Sequence, residues 1–514
     1  MLNTQKEPLF ILIKSLSKSE KRQFKLFVGR LDGNTDSKFL ALFNYIDKHD
    51  CYNEKSILKK GIVSKLQLSN LKANLYKQIL KSLRLGFSNQ NIRVALREQL
   101  DYATILYDKG LSKQSLKILD KAKGIALKNG EKNIAYQIVE LEKVIESQYI
   151  TRSIENRADE LAIQANELST QNVIASKLSN LSLQLYSLLL KEGYVKNKKD
   201  YDNVYSYFHE RLPKYNNNEL GFREKLWLYK AYLWYSFLVQ DFLSCYKYAR
   251  KWVDLFESNP NMIRVNPVFY LKGVHYLLES LFYIKHQVKF NETLKKLEEN
   301  LNTELILQND NTKALSFIYL YTNKLNLHFL RGSFKEGLPL VTEIEQQISF
   351  HKNRIDQHHI MLFYYKIACM YFGIGDYNSC IKYLNKIIGV KNFTIREDLM
   401  CFARILNLVA HFDAGLDENL EAKLKDTYRF LLKMNDLHAI QKEMLKFLRE
   451  VVDLYPYQIK GAFKKLHTSL LKYEDHPYEK RAFLYLDVLS WLESKINGKS
   501  FDIIIQEKSK KMLR

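Results

Sequence analysis

The sequence predicts an all-α chain built from antiparallel helix pairs repeated along most of its length. Three observations lead there. Apolar residues recur at three- and four-residue steps almost everywhere, with polar residues between them, the pattern of one buried helix face. Only 7 prolines and 18 glycines punctuate 514 residues, too few for the turns of an all-β chain or the glycine-rich loops of an α/β chain this size. Hydrophobic residues make up 46% and charged residues 26%, the balance of a chain that buries a core throughout rather than leaving a disordered half.

The repeating unit reads as a helix, a short turn holding Gly or Asp, and a second helix. Its clearest copy spans Leu362 to Ile388. Gly375 suits the left-handed conformation that ends a helix. Asp376 can cap the next helix by accepting from its free N–H groups, and Tyr377 begins the return. Tyr364, Ile367, Ala368 and Tyr371 form the packing face of the first helix, and Cys380, Leu384 and Ile387 that of the second.

This segment resembles a tetratricopeptide repeat (TPR), although that family prefers Ala where Cys380 and Ile387 stand. Weaker copies surround Gly110 (Tyr102, Ala103, Leu106, Ser115, Leu119, Ala122) and Asp241-Phe242 (Tyr232, Leu233, Cys245, Ala249, Trp252). Another surrounds Gly332 (Tyr321, Leu325, His328, Phe334, Gly337, Val341, Ile344), and a further turn is expected at Gly415. Gly332 and Gly375 are 43 residues apart and Gly375 and Gly415 are 40 apart, more than the ~34 of a regular repeat. The resemblance therefore implies an irregular, TPR-like right-handed α-solenoid of antiparallel helix pairs, with helices longer than the family's norm, over residues 91–514.

Residues 1–90 stand apart as a small basic helical domain. They hold 17 basic and 7 acidic side chains, and from Lys55 to Arg97 there is no acidic residue against ten Lys or Arg. Helices are expected over Leu9–Val28, Ser37–Lys48, Glu54–Lys60 and Leu68–Leu85, followed by a linker at Gly86–Asn91.

Several function classes find no support. Five scattered cysteines (Cys51, Cys245, Cys369, Cys380, Cys401) suit free thiols rather than a disulfide framework or zinc ribbon. The apolar run Leu9–Ile13 is short for a secretory signal, and no stretch approaches the ~20 apolar residues of a spanning helix. A cytoplasmic chain without a membrane partner is the expectation. Gly373 and Gly375 follow no strand and read as a helix end, not a phosphate loop. His351, Asp356, His358 and His359 are close in sequence, but adjacent histidines point to different sides of a helix. No enzyme activity, cofactor or metal is expected.

Two binding readings follow. In the TPR family, ligand contacts come from the first helix of each pair on its concave side. The resemblance thus implies a protein- or peptide-binding groove at Arg97, Thr104, Lys230, Trp234, Tyr319, Thr322, Asn326, Phe329, Tyr365, Cys369 and Phe372. Aromatics and amides suit peptide recognition, while the abundance of Tyr and Phe (34 and 28) offers the alternative that these rings are core. On this reading the chain is a non-catalytic scaffold or adaptor.

The other reading is a nucleic-acid-binding regulator. Leu68, Leu71, Leu75, Ile79 and Leu83 form one stripe, and Asn70, Asn74, Lys77, Lys81 and Arg84 the opposite one. With the short helix before it, the outline is that of a helix-turn-helix, whose second helix reads base edges through Asn and Arg while lysines hold phosphates. A solvated helix face in a lysine-rich chain is the alternative. The net charge of +22 fits an anionic partner or a composition rich in Lys, Asn, Ile and Tyr equally.

Overall fold

The computed structural model describes residues 7–30, 35–87, 91–148, 156–216, 219–301, 303, 309–351, 354–390, 397–415, 420–433, 439–480, 483 and 487–512. Among the described residues every regular element is helical, as the periodicity predicts. The chain divides into two compact units, Met1–Ser169 and Thr170–Arg514, so the division falls well after residue 90.

The first unit opens with α1 (Pro8–Ser15), α2 (Lys18–Val28), α3 (Thr35–Lys48), α4 (Glu54–Lys59) and α5 (Lys65–Phe87). The single helix expected over Leu9–Val28 is two, because Ser17 starts a new one. Its hydroxyl accepts from the Glu20 N–H at 3.2 Å, and the Glu20 carboxylate accepts from the Ser17 N–H at 2.7 Å. This capping box satisfies two N–H groups that a helix start leaves unpaired. Helix α5 starts three residues before the expected Leu68 and runs on through Gly86 and Phe87. Of the rest of the expected linker, residues 88–90 lie outside the described residues and Asn91 caps the next helix. Phe24, Leu42, Phe43, Ile57, Leu75 and Ile79 are the centre of an apolar cluster drawn entirely from residues 9–79.

A second cluster of the same unit joins α6 (Ile92–Asp108), α7 (Ser112–Lys128), α8 (Lys132–Gln148) and the start of α9 (Arg157–Glu192). Helix α9 is, by length and composition, long and apolar enough to cross a membrane, the one such helix among the described residues. Counting unbroken apolar runs passes over it, because Asn and Ser are interleaved with its leucines. Its Leu161, Leu168, Leu178, Leu181 and Leu185 are buried in protein.

The second unit continues through α10 (Lys198–Arg211), α11 (Phe222–Leu238), α12 (Phe242–Glu257), α13 (Asn261–Val265), α14 (Pro267–Tyr283), α15 (Gln287–Leu301) and α16 (Asp310–Arg331). Then come α17 (Phe334–Gly337), α18 (Pro339–Phe350), α19 (Gln357–Gly373), α20 (Tyr377–Ile388), α21 (Glu397–Asp413), α22 (Leu420–Lys433) and α23 (Ala439–Glu450). The last elements are α24 (Pro456–Leu471), α25 (Val488–Asn497) and α26 (Phe501–Met512). Sequence neighbours pack together along this series, α11 on α12, α12 on α14, α19 on α20 and α20 on α21. Helix α16 also packs on both α14 and α19.

One turn recurs. At Gly110, Gly130, Gln240, Lys285, Gly332, Gly375 and Gly498 the backbone enters the left-handed region. In each case the next N–H reaches back five residues, as Asp241 does to the Ser236 carbonyl (2.9 Å), His286 to Leu281 (2.9 Å) and Asp376 to Tyr371 (3.0 Å). This is the six-to-one bond that closes a Schellman turn. Asp241 and Asp376 then cap the following helix, each accepting from the N–H three residues on at 3.0 Å. The turn at Gly375 is thus formed as its sequence indicates. At Gln240 (φ 58°) and Lys285 (φ 54°) the left-handed residue carries a side chain, which hides these turns from a search for glycine.

After α24 the chain returns across several of these turns. The Tyr478 carbonyl accepts from Gln240, the Ser509 hydroxyl donates to Gln287 (2.7 Å), and the Gln506 amide donates to the Gly332 carbonyl (3.0 Å). The Phe501 ring lies 5.7 Å from the rings of both Phe334 and Phe372.

Candidate functional site

Three helices and the returning segment enclose a cavity of about 520 Å³ in the second unit. Each helix contributes a stripe at helical spacing. Helix α14 supplies His275, Glu279 and Phe282; α16 supplies Thr322, Asn326 and Phe329; α19 supplies Leu362, Tyr365, Lys366, Cys369 and Phe372. The opposite wall comes from Phe501, Ile505, Lys508, Ser509 and Met512 of α26, with Glu474, Asp475, Lys480 and Asp487 contributed between α24 and α25.

A hydrogen-bonded chain crosses the helical wall. The Lys366 ammonium donates to Asn326 Oδ1 (2.6 Å), and Asn326 Nδ2 donates to Asn323 Oδ1 (3.3 Å). Asn323 Nδ2 donates to the Tyr319 carbonyl (2.7 Å) and faces His275 Nδ1 at 3.2 Å. The Tyr319 carbonyl fixes which end of the Asn323 amide is the donor, so His275 Nδ1 is the acceptor and its proton sits on Nε2. That nitrogen is 3.8 Å from Glu279, whose other oxygen accepts from the Tyr283 hydroxyl at 2.6 Å.

Burial sets the charge states. Desolvation pulls His275 down to about 3, so it is neutral at neutral pH, and pulls the Lys366 amine down to about 8. Lys366 is flanked by the rings of Phe329 and Phe282, 5.6 and 5.8 Å from its nitrogen. The same burial pushes the Cys369 thiol up to about 12, which leaves it protonated and a poor nucleophile.

Six residues singled out from the sequence meet at this one cavity: Thr322, Asn326, Phe329, Tyr365, Cys369 and Phe372. Three others are core and do not line it. Trp234 is packed between Tyr186 and Tyr276, with ring centroids at 4.7 and 5.0 Å. Tyr319 stacks on His275 at 4.4 Å, and Lys230 is buried with its nitrogen 4.0 Å from the Trp227 ring. They sit on α11 and α16, on faces that neighbouring helices cover. Arg97 and Thr104 are exposed on α6 in the first unit, where the Thr104 hydroxyl donates to the Leu100 carbonyl.

On α5, Leu68, Leu75 and Ile79 are buried while Asn70, Asn74, Lys77, Lys81 and Arg84 are all exposed. Three of these have protein partners. Asn74 donates to Asn70 at 3.2 Å, and Arg84 is held by Asp101 at 2.7 Å. His359, in the first turn of α19, serves its start: Asp356 caps the helix through the His359 N–H (2.9 Å) and pairs with the His359 ring (2.7 Å), which holds its carboxyl down at about 2. No cluster of three metal-ligating side chains exists among the described residues.

Sequence reasoning passed over Lys366, His275, Glu279 and the entire α26 wall. Lys366 carried a usable signal, since it is the lone charge between Leu362 and Phe372. The wall from residues 474–512 carried none, because nothing local ties it to helices some 200 residues earlier. Comparison with protein-family models, curated proteins and solved structures finds no match for this chain.

Proposed function

We propose that the second unit is a TPR-like helical solenoid that acts as a non-catalytic adaptor, capturing a protein or peptide segment on the inner surface of its first helices. The observation that carries this reading is the convergence of α14, α16 and α19. Their equivalent stripes supply aromatic rings and amides to a single cavity, and an amphipathic helix, α26, already lies against it. Laying the apolar side of a helix into an apolar trough is a common mode of peptide capture. A stack of preformed helix pairs also orders little on binding, which favours affinity.

The test is affinity capture by the wild-type chain beside Asn326→Arg and Phe329→Arg, with circular dichroism to establish that both variants are folded. A partner retained by the wild type and lost by both variants supports the reading. A partner retained by all three places its binding elsewhere and defeats it.

A second reading concerns the first unit, as a nucleic-acid-binding module. The exposed face of α5, where Lys77 and Lys81 stand beside Asn70 and Asn74, supports it. Binding through phosphates would weaken steeply with salt and disappear in Lys77→Glu/Lys81→Glu. An absence of retention on duplex DNA and on RNA at low salt would rule it out.

A further inference from the structure

We propose that the cavity between α14, α16, α19 and α26 is a binding site for a monocarboxylate carried on an apolar body, with the Lys366 ammonium as its anchor. The volume, about 520 Å³, suits a small organic ligand or a few residues of peptide.

The polarity of the walls narrows the chemistry. Phe282 and Phe329 flank the Lys366 nitrogen, and Phe372 and Phe501 extend the apolar lining. An ammonium has three N–H donors. Lys366 gives one to Asn326, and among the described residues no carboxylate stands within ion-pair distance and no second acceptor is present. A half-buried amine set between rings gains more from an anionic acceptor than a fully exposed lysine does, because less water competes for its donors.

The other cavity cations are differently placed. Lys508 is paired with Glu493 at 2.8 Å, Lys480 rests over the Phe242 ring at 5.4 Å, and Lys285 is exposed on its turn. Four carboxylates, Glu279, Glu474, Asp475 and Asp487, also line the space. Among the described residues of the wall, Lys366 is the amine set between two rings with spare N–H donors and no paired carboxylate. With four acids lining the same space, it suits a single negative charge and disfavours a phosphate or a dicarboxylate. The required carboxylate has two sources, a free aliphatic or aromatic acid or the C-terminus of a polypeptide. Only the second source rests on the partner-capture reading above.

The experiment is calorimetric titration of the full chain with 4-phenylbutyrate and its uncharged amide, and with acetyl-Ala-Ala-Phe as free acid and as amide. A charge-assisted bond predicts roughly tenfold or greater preference for an acid over its amide, lost in Lys366→Met, which keeps the apolar stem. Binding of the small acid alone assigns the site to free acids; binding of the peptide acid extends it to chain ends. Should the variant fail to fold, wild-type protein serves, since the acid and not the amide protects Lys366 from reductive methylation read by peptide mass spectrometry. Equal affinity for acid and amide, no binding of either acid, a preference that survives Lys366→Met, or no protection of Lys366 each overturns the assignment. Partner capture without any acid preference overturns it while leaving the adaptor reading standing.

Discussion

The side-chain amide of Gln240 donates to the main-chain carbonyl of Tyr478 at 3.3 Å, across 238 residues of sequence. The same amide donates to the Val195 carbonyl at 3.1 Å. Gln240 occupies the left-handed position where other turns of this chain place glycine, and it is buried. A side chain is tolerated in that conformation because both its donors are used.

Gln240→Ala removes both bonds and keeps a Cβ at positive φ. A loss of about 2–3 kcal/mol is expected in urea unfolding. Gln240→Gly removes the bonds but relaxes the backbone, so it should cost about 1 kcal/mol less. An alanine variant as stable as the glycine variant would falsify the backbone part of this account.

Gly373 and Gly375 are two residues apart and should respond differently to alanine. Gly375 has φ +81° with open space around it, so Gly375→Ala pays only the backbone strain, about 1 kcal/mol. A Cβ on Gly373 would stand 2.5 Å from the Phe334 ring, so Gly373→Ala must displace an aromatic side chain and should cost about 2–3 kcal/mol. Thermal midpoints in the opposite order would contradict the packing described.

Lys230 gives a pH signature. Burial first, and the nearby Lys272 charge second, lower its amine from 10.5 to about 7. Between these values the unfolded chain holds a proton that the folded chain has released. Stability from this group therefore increases as pH rises from 7 to 10.5, and is lost as pH falls through 7, by an amount on the order of 2–4 kcal/mol. Lys230→Met should flatten that limb and match or exceed wild-type stability at pH 7. Parallel curves for the two proteins, measured by urea unfolding across pH, would show that Lys230 is not the source.

Phe501 is the ring by which α26 meets Phe334 and Phe372. Phe501→Ala should loosen that helix selectively. Amides of residues 501–512 are expected to exchange with solvent roughly tenfold faster or more, while those of α11 and α12 keep their protection. Uniformly faster exchange would mean that α26 is inseparable from the core.

Much of this was readable from the sequence, and the reasons differ by residue. Helix periodicity and the Gly375-Asp376 pair specify local geometry, so the turn between α19 and α20 follows from six residues. The stripe Thr322, Asn326 and Phe329 was recoverable because one helix fixes which side chains share a face. Trp234 and Tyr319 were misjudged because facing is local but covering is not: what lies over a helix face depends on which neighbour arrives. The Ser17 capping box was legible, with Glu20 three residues on, yet the unbroken apolar period across it suggested one helix. The left-handed Gln240 and Lys285 defeat composition rules, since their conformation is sustained by distant partners or by the turn itself.

The wall supplied by α26 has a consequence for biogenesis. Its attachment points, Gln287 and Gly332, are synthesised 222 and 174 residues before Ser509 and Gln506. Pairings so distant along the chain form slowly, after the local helix pairs have docked. During translation the aromatic faces of α14, α16 and α19 are therefore made well over a hundred residues before the helix that covers them. A nascent chain of this kind exposes its stickiest surface early and hides it late, so its yield should depend on chaperone supply more steeply than its final stability would suggest.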